Sequence, residues 1–325
     1  MGARGRAATR LDGGGRVITL GYFRRHQQTL RGADDIVLLD VAQEYVLEHL
    51  HREGLFAGTL VFKGGTALRK FVFGAEGRFS VDLDFGLVSD DPADADLVLD
   101  YLTDAALYDV RIGLVDRQGA NARLDIDTPL GHVDRPARVS VRQQRPWLPT
   151  VLRPPEPFEH LDKGLAPEFT RAALPVLDLR EMAAEKIAAF WRRRHARDLY
   201  DLEHLARVMQ PVGVADDVCD LAALKIYADV VEEGIESRPL TDAASVFGCT
   251  PADVRGAEDL GTFRASETDV RRLLTNCRER YAPLATLADR SPEIAELAAR
   301  CSRGDLRHVA RARRTLVDRL AVTSL

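Results

Sequence analysis

Apolar side chains recur along this chain at two different periods, and the change from one to the other divides it. Between Ile36 and Glu53, the residues Ile36, Leu39, Ala42, Val46, Leu47 and Leu50 fall near every third or fourth place, the stripe of an amphipathic helix. The run Leu60 to Phe62 enters a glycine pair, Gly64 and Gly65, after which Ala67, Leu68 and Phe71 resume helical spacing: strand, tight turn, helix. Val81, Leu83 and Phe85 then alternate with Asp82 and Asp84, which predicts a strand with both carboxylates on one face. Strand-like runs return at Val110 to Val115, Asn121 to Asp127 and Ala137 to Val141, punctuated by Gly, Pro and Asp. From Arg145 to Pro175 the seven prolines 146, 149, 154, 155, 157, 167 and 175 remove backbone donors, so this segment reads as an irregular connection. Helical spacing prevails beyond it, first from Leu179 to about His195. The expected fold is α+β: a mixed β-sheet flanked by helices over 17–145, a Pro-rich connection over 146–175 and a helical C-terminal domain over 176–325. Residues 1–16, with five glycines and four arginines, are expected to form a flexible tail.

Length and composition narrow the field. A chain of 325 residues with 46% hydrophobic side chains is long enough for a well-buried core and two domains. Fifty acidic against 45 basic residues leave a net charge of −5, so any nucleic acid must be met by a local basic groove rather than by bulk charge. Cys219, Cys249, Cys277 and Cys301 are too widely spaced for a zinc site or a compact disulfide pattern, and the eight histidines form no ligand-spaced cluster. No apolar run reaches the roughly 18 residues of a membrane span, and a cytoplasmic location with no membrane partner is expected.

The chemistry concentrates between Val61 and Phe85. Glycines let a ligand approach the backbone, and the free N–H groups at a helix start favour an anion, so Lys63, Gly64, Gly65 and Thr66 are candidate contacts for a nucleotide's phosphates. Asp82 and Asp84 on one strand edge suit Mg²⁺. A Gly-Gly turn alone is common, and an Asp-x-Asp strand alone is often a solvated sheet face; their order and separation carry the functional reading. Ser80 lies on the same strand face as Asp82, where its hydroxyl would touch a phosphate, be modified or serve structure.

These motifs resemble those of the DNA polymerase β-like nucleotidyltransferases, most closely the AbiEii/AbiGii branch of abortive-infection and toxin–antitoxin toxins. The matching residues are Gly64 to Leu68, Arg78 to Phe85, Glu185-Lys186, and Arg197-Asp198-Leu199-Tyr200-Asp201-Leu202, over roughly residues 35–210. The resemblance implies a toxin of a type IV-like system that transfers a nucleotide from an NTP to the 3′ end of a tRNA. It also implies a cognate antitoxin partner and the use of two Mg²⁺ ions. It suggests a third carboxylate, for which Asp125 matches the family pattern better than Asp127, so that Asp82, Asp84 and Asp125 would bind metal. It further implies that Lys186 meets the phosphates, that Arg78, Ser80 and Arg197 join the nucleotide site, and that Asp198 or Asp201 supplies an essential acid. Bland readings stand beside these: Lys186 as a snorkelling lysine paired with an acid, and Asp198 as a helix cap. Two alternatives remain open on the sequence, a small-molecule acceptor such as an aminoglycoside and a non-catalytic nucleotide-binding regulator. A stretch at Leu240 to Val254 has helix-turn-helix spacing but too many acids for DNA, and is expected to be a helical hairpin.

Overall fold

The computed structural model describes residues 18–30, 34–89, 91, 93–143, 145–157, 171–210, 215–233, 245–256, 266–286, 296 and 307–321. The expected tail at 1–16 and the first residues, 240–244, of the hairpin expected at 240–254 lie outside these residues. Helices α1 (Leu20–Leu30) and α2 (Asp34–Arg52) lead into strand β1 (Leu60–Lys63), which turns into α3 (Gly64–Leu68), continued by a π-helical turn over Arg69–Phe73. There follow β2 (Asp82–Leu87), α4 (Ala93–Tyr101), β3 (Ala105–Leu107), β4 (Val110–Gln118), β5 (Asn121–Thr128), β6 (Gly131–His132), β7 (Ala137–Arg142), β8 (Val151–Arg153) and β9 (Leu174–Val176). Helices α5 (Leu179–Arg193), α6 (Ala196–Met209), α7 (Ala215–Glu233), α8 (Glu267–Arg280) and α9 (Arg307–Ala321) complete the α+β arrangement.

The strands form one mixed sheet in the order β3-β4-β5-β7-β2-β1-β9-β8, with β6 hanging on β5. Its register sets the site. Lys63 of β1 stands opposite Asp84 of β2, while Asp82 and Asp84 stand beside Arg138 and Ser140 of β7, and these beside Arg123 and Asn121 of β5. Along β5 burial alternates strictly, with Ala122, Leu124 and Ile126 in the core and Asn121, Arg123, Asp125 and Asp127 exposed. One face of this part of the sheet is therefore core and the other polar, as the two-residue period requires.

The Pro-rich segment departs from expectation. It contributes β8 and β9 to the sheet, with Leu152 opposite Pro175 and Val176 beside Phe62 of β1. The strands are only three residues long, and the link to β1 is extended by Leu177 N–H donating to the Phe62 carbonyl, so no donor is asked of Pro175 there. Behind α3, Asp40 of α2 accepts from Arg69 Nε at 2.8 Å, from Lys70 Nζ at 3.3 Å and pairs with His26 Nε2 at 2.9 Å. Burial pushes the Asp40 carboxyl up, but Arg69 and Lys70 together outweigh it and hold it well below the usual range.

Helix α5 is the centre of the helical half, packed between α6 and α7, with Phe190 and Trp191 fully buried. Asp178 caps its first turn, accepting from Arg180 N–H at 2.8 Å, and Arg194 ends it in the left-handed region at φ 52°. The described part of the expected hairpin at 240–254 includes a short 3₁₀ turn, Pro251–Asp253, closed by a capping box with Thr250. No helix among the described residues is long and apolar enough to cross a membrane.

Candidate active site

The turn after β1 works because two side chains are missing. Gly64 sits at φ +80°, and a Cβ there would lie 2.2 Å from Asp84 Oδ2; a Cβ on Gly65 would lie 2.8 Å from Arg78 Nη2 and 3.0 Å from Ser80 Oγ. Bare backbone thus lets β2 lay its carboxylate, and the arm before it an arginine and a serine, directly on the turn. Thr66 behaves differently from its expected role. It is fully buried and its hydroxyl donates to the Asp82 carbonyl, so it fixes the start of β2 instead of facing a phosphate.

Asp82 and Asp84 are half-buried, and among the described residues neither carboxylate has a hydrogen-bond or ion-pair partner. Burial first, and then the neighbouring Asp82 charge, raise the Asp84 pKa above the usual carboxylate range; Lys63, Lys186 and Arg142 pull the other way without winning. A pair of unneutralised acids at hydrogen-bonding depth in a polar cavity fits a hard divalent cation, which is commonly held by one or two carboxylates with substrate phosphates and water completing its shell.

Opposite the acids stand α5 and α6. Lys186 Nζ lies 2.7 Å from Asp201 Oδ2 and 3.9 Å from Asp198 Oδ1. Asp201 also takes two hydrogen bonds from Arg78, at 2.9 and 2.7 Å, and Asp198 two from Arg193, at 2.8 and 2.6 Å. Burial would raise both carboxyls, but Arg78 with Lys186 for Asp201, and Arg193 with Lys186 for Asp198, leave them lowered. Neither acid is free to hold a cation; each holds cationic side chains in place along the cleft. Asp198 is not the cap of α6, since His195 occupies that place and the Asp198 side chain is wholly buried against Arg193. Arg197 differs from its neighbours. Its guanidinium has no partner among the described residues, its Nε is buried and unsatisfied, and burial with Arg193 and Arg78 nearby lowers its pKa.

The space between sheet and helices has two lobes. The larger, ≈ 520 Å³, is reached by Gly65, Arg78, Ser80, Asp82, Arg138 and Arg197; the smaller, ≈ 140 Å³, by Lys63, Gly64, Leu68, Met182, Glu185 and Lys225. Asp84, Arg142, Lys186 and Arg193 line both, so the lobes meet over the acid pair. Lys63 Nζ rests on Glu185 Oε1 at 3.2 Å, and Glu185 also meets Lys225 at 3.4 Å. Burial opposes it, but these two ammonium groups draw the Glu185 pKa down to about 2.

Of the expected site residues, the fold gathers Lys63, Gly64, Gly65, Arg78, Ser80, Asp82, Asp84, Lys186 and Arg197 around this space. Asp125 is not brought to it. It shares the polar face, but β5 parts from β7 after Leu124, and Asp125 and Asp127 are exposed and face His132 at 3.3 and 3.1 Å. Among the described residues no three metal-ligating side chains converge. Sequence reasoning missed Arg138, Arg142 and Lys225. The first two were legible as the polar positions of the alternating run Arg138-Val139-Ser140-Val141-Arg142; Lys225 stands alone in the apolar run Leu221 to Ala228 and asked for a partner in the same way.

The profile of the family described as nucleotidyl transferase AbiEii toxin, type IV TA system, matches residues 46–280. The chain belongs to this AbiEii family of nucleotidyltransferase toxins. Among solved structures, MenT4, a nucleotidyltransferase toxin from Mycobacterium tuberculosis H37Rv, is 30% identical with a TM-score of 0.78, over 92% of this chain and 99% of that one. JHP933 from Helicobacter pylori (17% identity, TM-score 0.38, 84% of this chain and 97% of that one) and a second H. pylori structure (18%, 0.40, 75% and 97%) are more distant, and their likeness carries no argument. No curated protein matches the chain. As an AbiEii member the protein is a nucleotidyltransferase toxin of a type IV toxin–antitoxin system, which implies an antitoxin partner.

Proposed function

We propose that this toxin transfers a nucleotide from an NTP to the 3′ end of a tRNA in the presence of Mg²⁺, blocking translation until a cognate antitoxin protein intervenes. The observation that supports it most is the unpaired Asp82–Asp84 couple facing a wall of Lys186, Arg193 and Arg197 across a cavity wide enough for a nucleotide. Asp82 and Asp84 would hold the metal, which when bound neutralises phosphate charge and aligns the α-phosphate with the acceptor hydroxyl. With Asp125 outside the cleft, the reading of two ions loses the third carboxylate on which it rested.

The chain's own groups then divide the work. Arg197 and Lys186 meet the negative charge that grows on the leaving pyrophosphate, inside a cleft where such charge-assisted contacts are strong. Thr66 and Gly64 keep Asp82 and Asp84 in place, and Asp201 and Asp198 aim Lys186 and Arg193. The acceptor oxygen forms the new bond to the α-phosphorus, the bond to the bridging oxygen breaks, pyrophosphate leaves with the electron pair, and the hydroxyl proton passes to solvent.

Incubating the purified protein with Mg²⁺ and each labelled NTP, beside total tRNA or an aminoglycoside, tests this. Label at the 3′ end of tRNA is the expected result. Label on the aminoglycoside would replace the acceptor, and label on neither would overturn the reading.

A further inference from the structure

The two lobes differ in a way that transfer chemistry can use. In the smaller one the cations not shared with the larger are already neutralised: Lys63 by Glu185 at 3.2 Å, Lys225 by Glu181 at 2.9 Å, and Arg192 by Asp229 at 2.9 Å. Its remaining wall is apolar, made by Leu68, Met182, Ala188 and Ala189. A phosphate entering there would have to break buried ion pairs, which leaves charges stranded and is costly. A sugar would not: its hydroxyls donate to carboxylates such as Glu185 and Asp229, and its ring or an attached base covers the apolar wall.

The larger lobe keeps cations to spare. Arg78 and Arg123 are paired with Asp201 and Asp116, but Arg138 and Arg197 have no carboxylate partner among the described residues, and the buried Arg197 Nε is left without an acceptor. An orphaned buried donor on a cation is what an incoming phosphate oxygen satisfies. Size agrees, ≈ 520 Å³ against ≈ 140 Å³.

We propose that the lobes divide the two substrates: the larger takes the donor NTP by its triphosphate, and the smaller takes the uncharged, hydroxyl-bearing end group of the acceptor, a ribose with the inner edge of its base. They meet over Asp84, so the attacking hydroxyl and the α-phosphate enter from opposite sides of the acid pair. This assignment rests on the transfer reading above and adds which pocket selects which substrate. Ala189, on the wall of the small lobe, and Arg197, on that of the large one, become the two handles.

The test compares Ala189→Phe, with Ala189→Leu as a smaller filler, against Arg197→Ala, each verified as folded by circular dichroism and melting. Equilibrium NTP affinity is measured without acceptor, and KM for whichever acceptor the parent protein labels is measured separately. Filling the small lobe should raise the acceptor KM on the order of tenfold and leave NTP affinity within about twofold, whereas Arg197→Ala should weaken NTP binding on the order of tenfold. The opposite pattern, or equal loss of NTP binding in all three variants, overturns the assignment. Should the parent label no acceptor at all, the transfer reading fails, and NTP binding still decides the donor half: retention in the Ala189 variants with loss in Arg197→Ala supports it, and loss in the Ala189 variants sinks it.

Discussion

Asp84 lies with a glycine turn at its back and another carboxylate beside it, and its raised pKa records what that costs. A carboxyl whose folded pKa is raised destabilises the folded chain at neutral pH, and that penalty fades as pH falls through the raised value. Asp84→Asn is therefore expected to lower transfer by about 10² to 10³, a typical loss for one preorganised group, while the melting temperature at pH 7 holds or rises. Labelling assays and thermal denaturation on the same preparation check both; a variant that keeps full activity removes the metal role from this residue. The acid pair was legible in the sequence because a two-residue period puts Asp82 and Asp84 on one side whatever else the chain does. The fate of Thr66 was not, since a hydroxyl near a Gly-Gly turn faces ligand or backbone depending on where a strand 16 residues later arrives.

At the scale of elements, the turn from β1 into α3 depends on the left-handed Gly64. Gly64→Ala asks a Cβ to occupy a conformation that disfavours it by roughly 1–2 kcal/mol, and also to displace the Asp84 carboxylate. Loss of stability of that order in urea denaturation, with loss of labelling, is expected; an unchanged protein would show that the turn can re-form around a side chain. Helix α6 is tied to the sheet side by Asp201, which binds Arg78 and Lys186 together. Asp201→Asn strands two buried cations and should cost about 3–5 kcal/mol, read as a lower urea midpoint. Helices α2, α5 and the start of α6 and the strands β2, β4, β5 and β7 were readable from period alone. The β8–β9 pair was not, because three-residue strands among prolines leave too few positions for a period to show, and their pairing with β1 comes from distant sequence.

For the molecule as a whole, the cleft is held together by carboxylates with depressed pKa values. Asp198, Asp201 and Glu185 each outdo the cost of burial through arginine or lysine partners, the last with a pKa of about 2. The stability they supply is complete above their unfolded values, about 4, and is lost as pH falls through the folded ones. Melting temperature should accordingly drop between about pH 4 and pH 2. A flat profile across that window would show that these pairs do not couple helices to sheet. The sequence by itself determined the local things: periodic helices and strands, a glycine turn, two acids on one face, and the motifs that resemble AbiEii toxins, since each depends only on neighbours a few residues apart. Tertiary structure alone decided which acids stay free. Asp82 and Asp84 keep unpaired carboxylates because glycine backbone and the open cleft adjoin them while Lys63 and Lys186 are held by Glu185 and Asp201 instead, Asp198 and Asp201 lose theirs to cations packed into the same buried volume, and Asp125 faces His132 because Arg123, two residues earlier on β5, takes the row of Asp82 and the β5–β7 pairing ends at Leu124. Whether a charge is spent or available depends on what burial brings beside it, and that is a property of the packed chain.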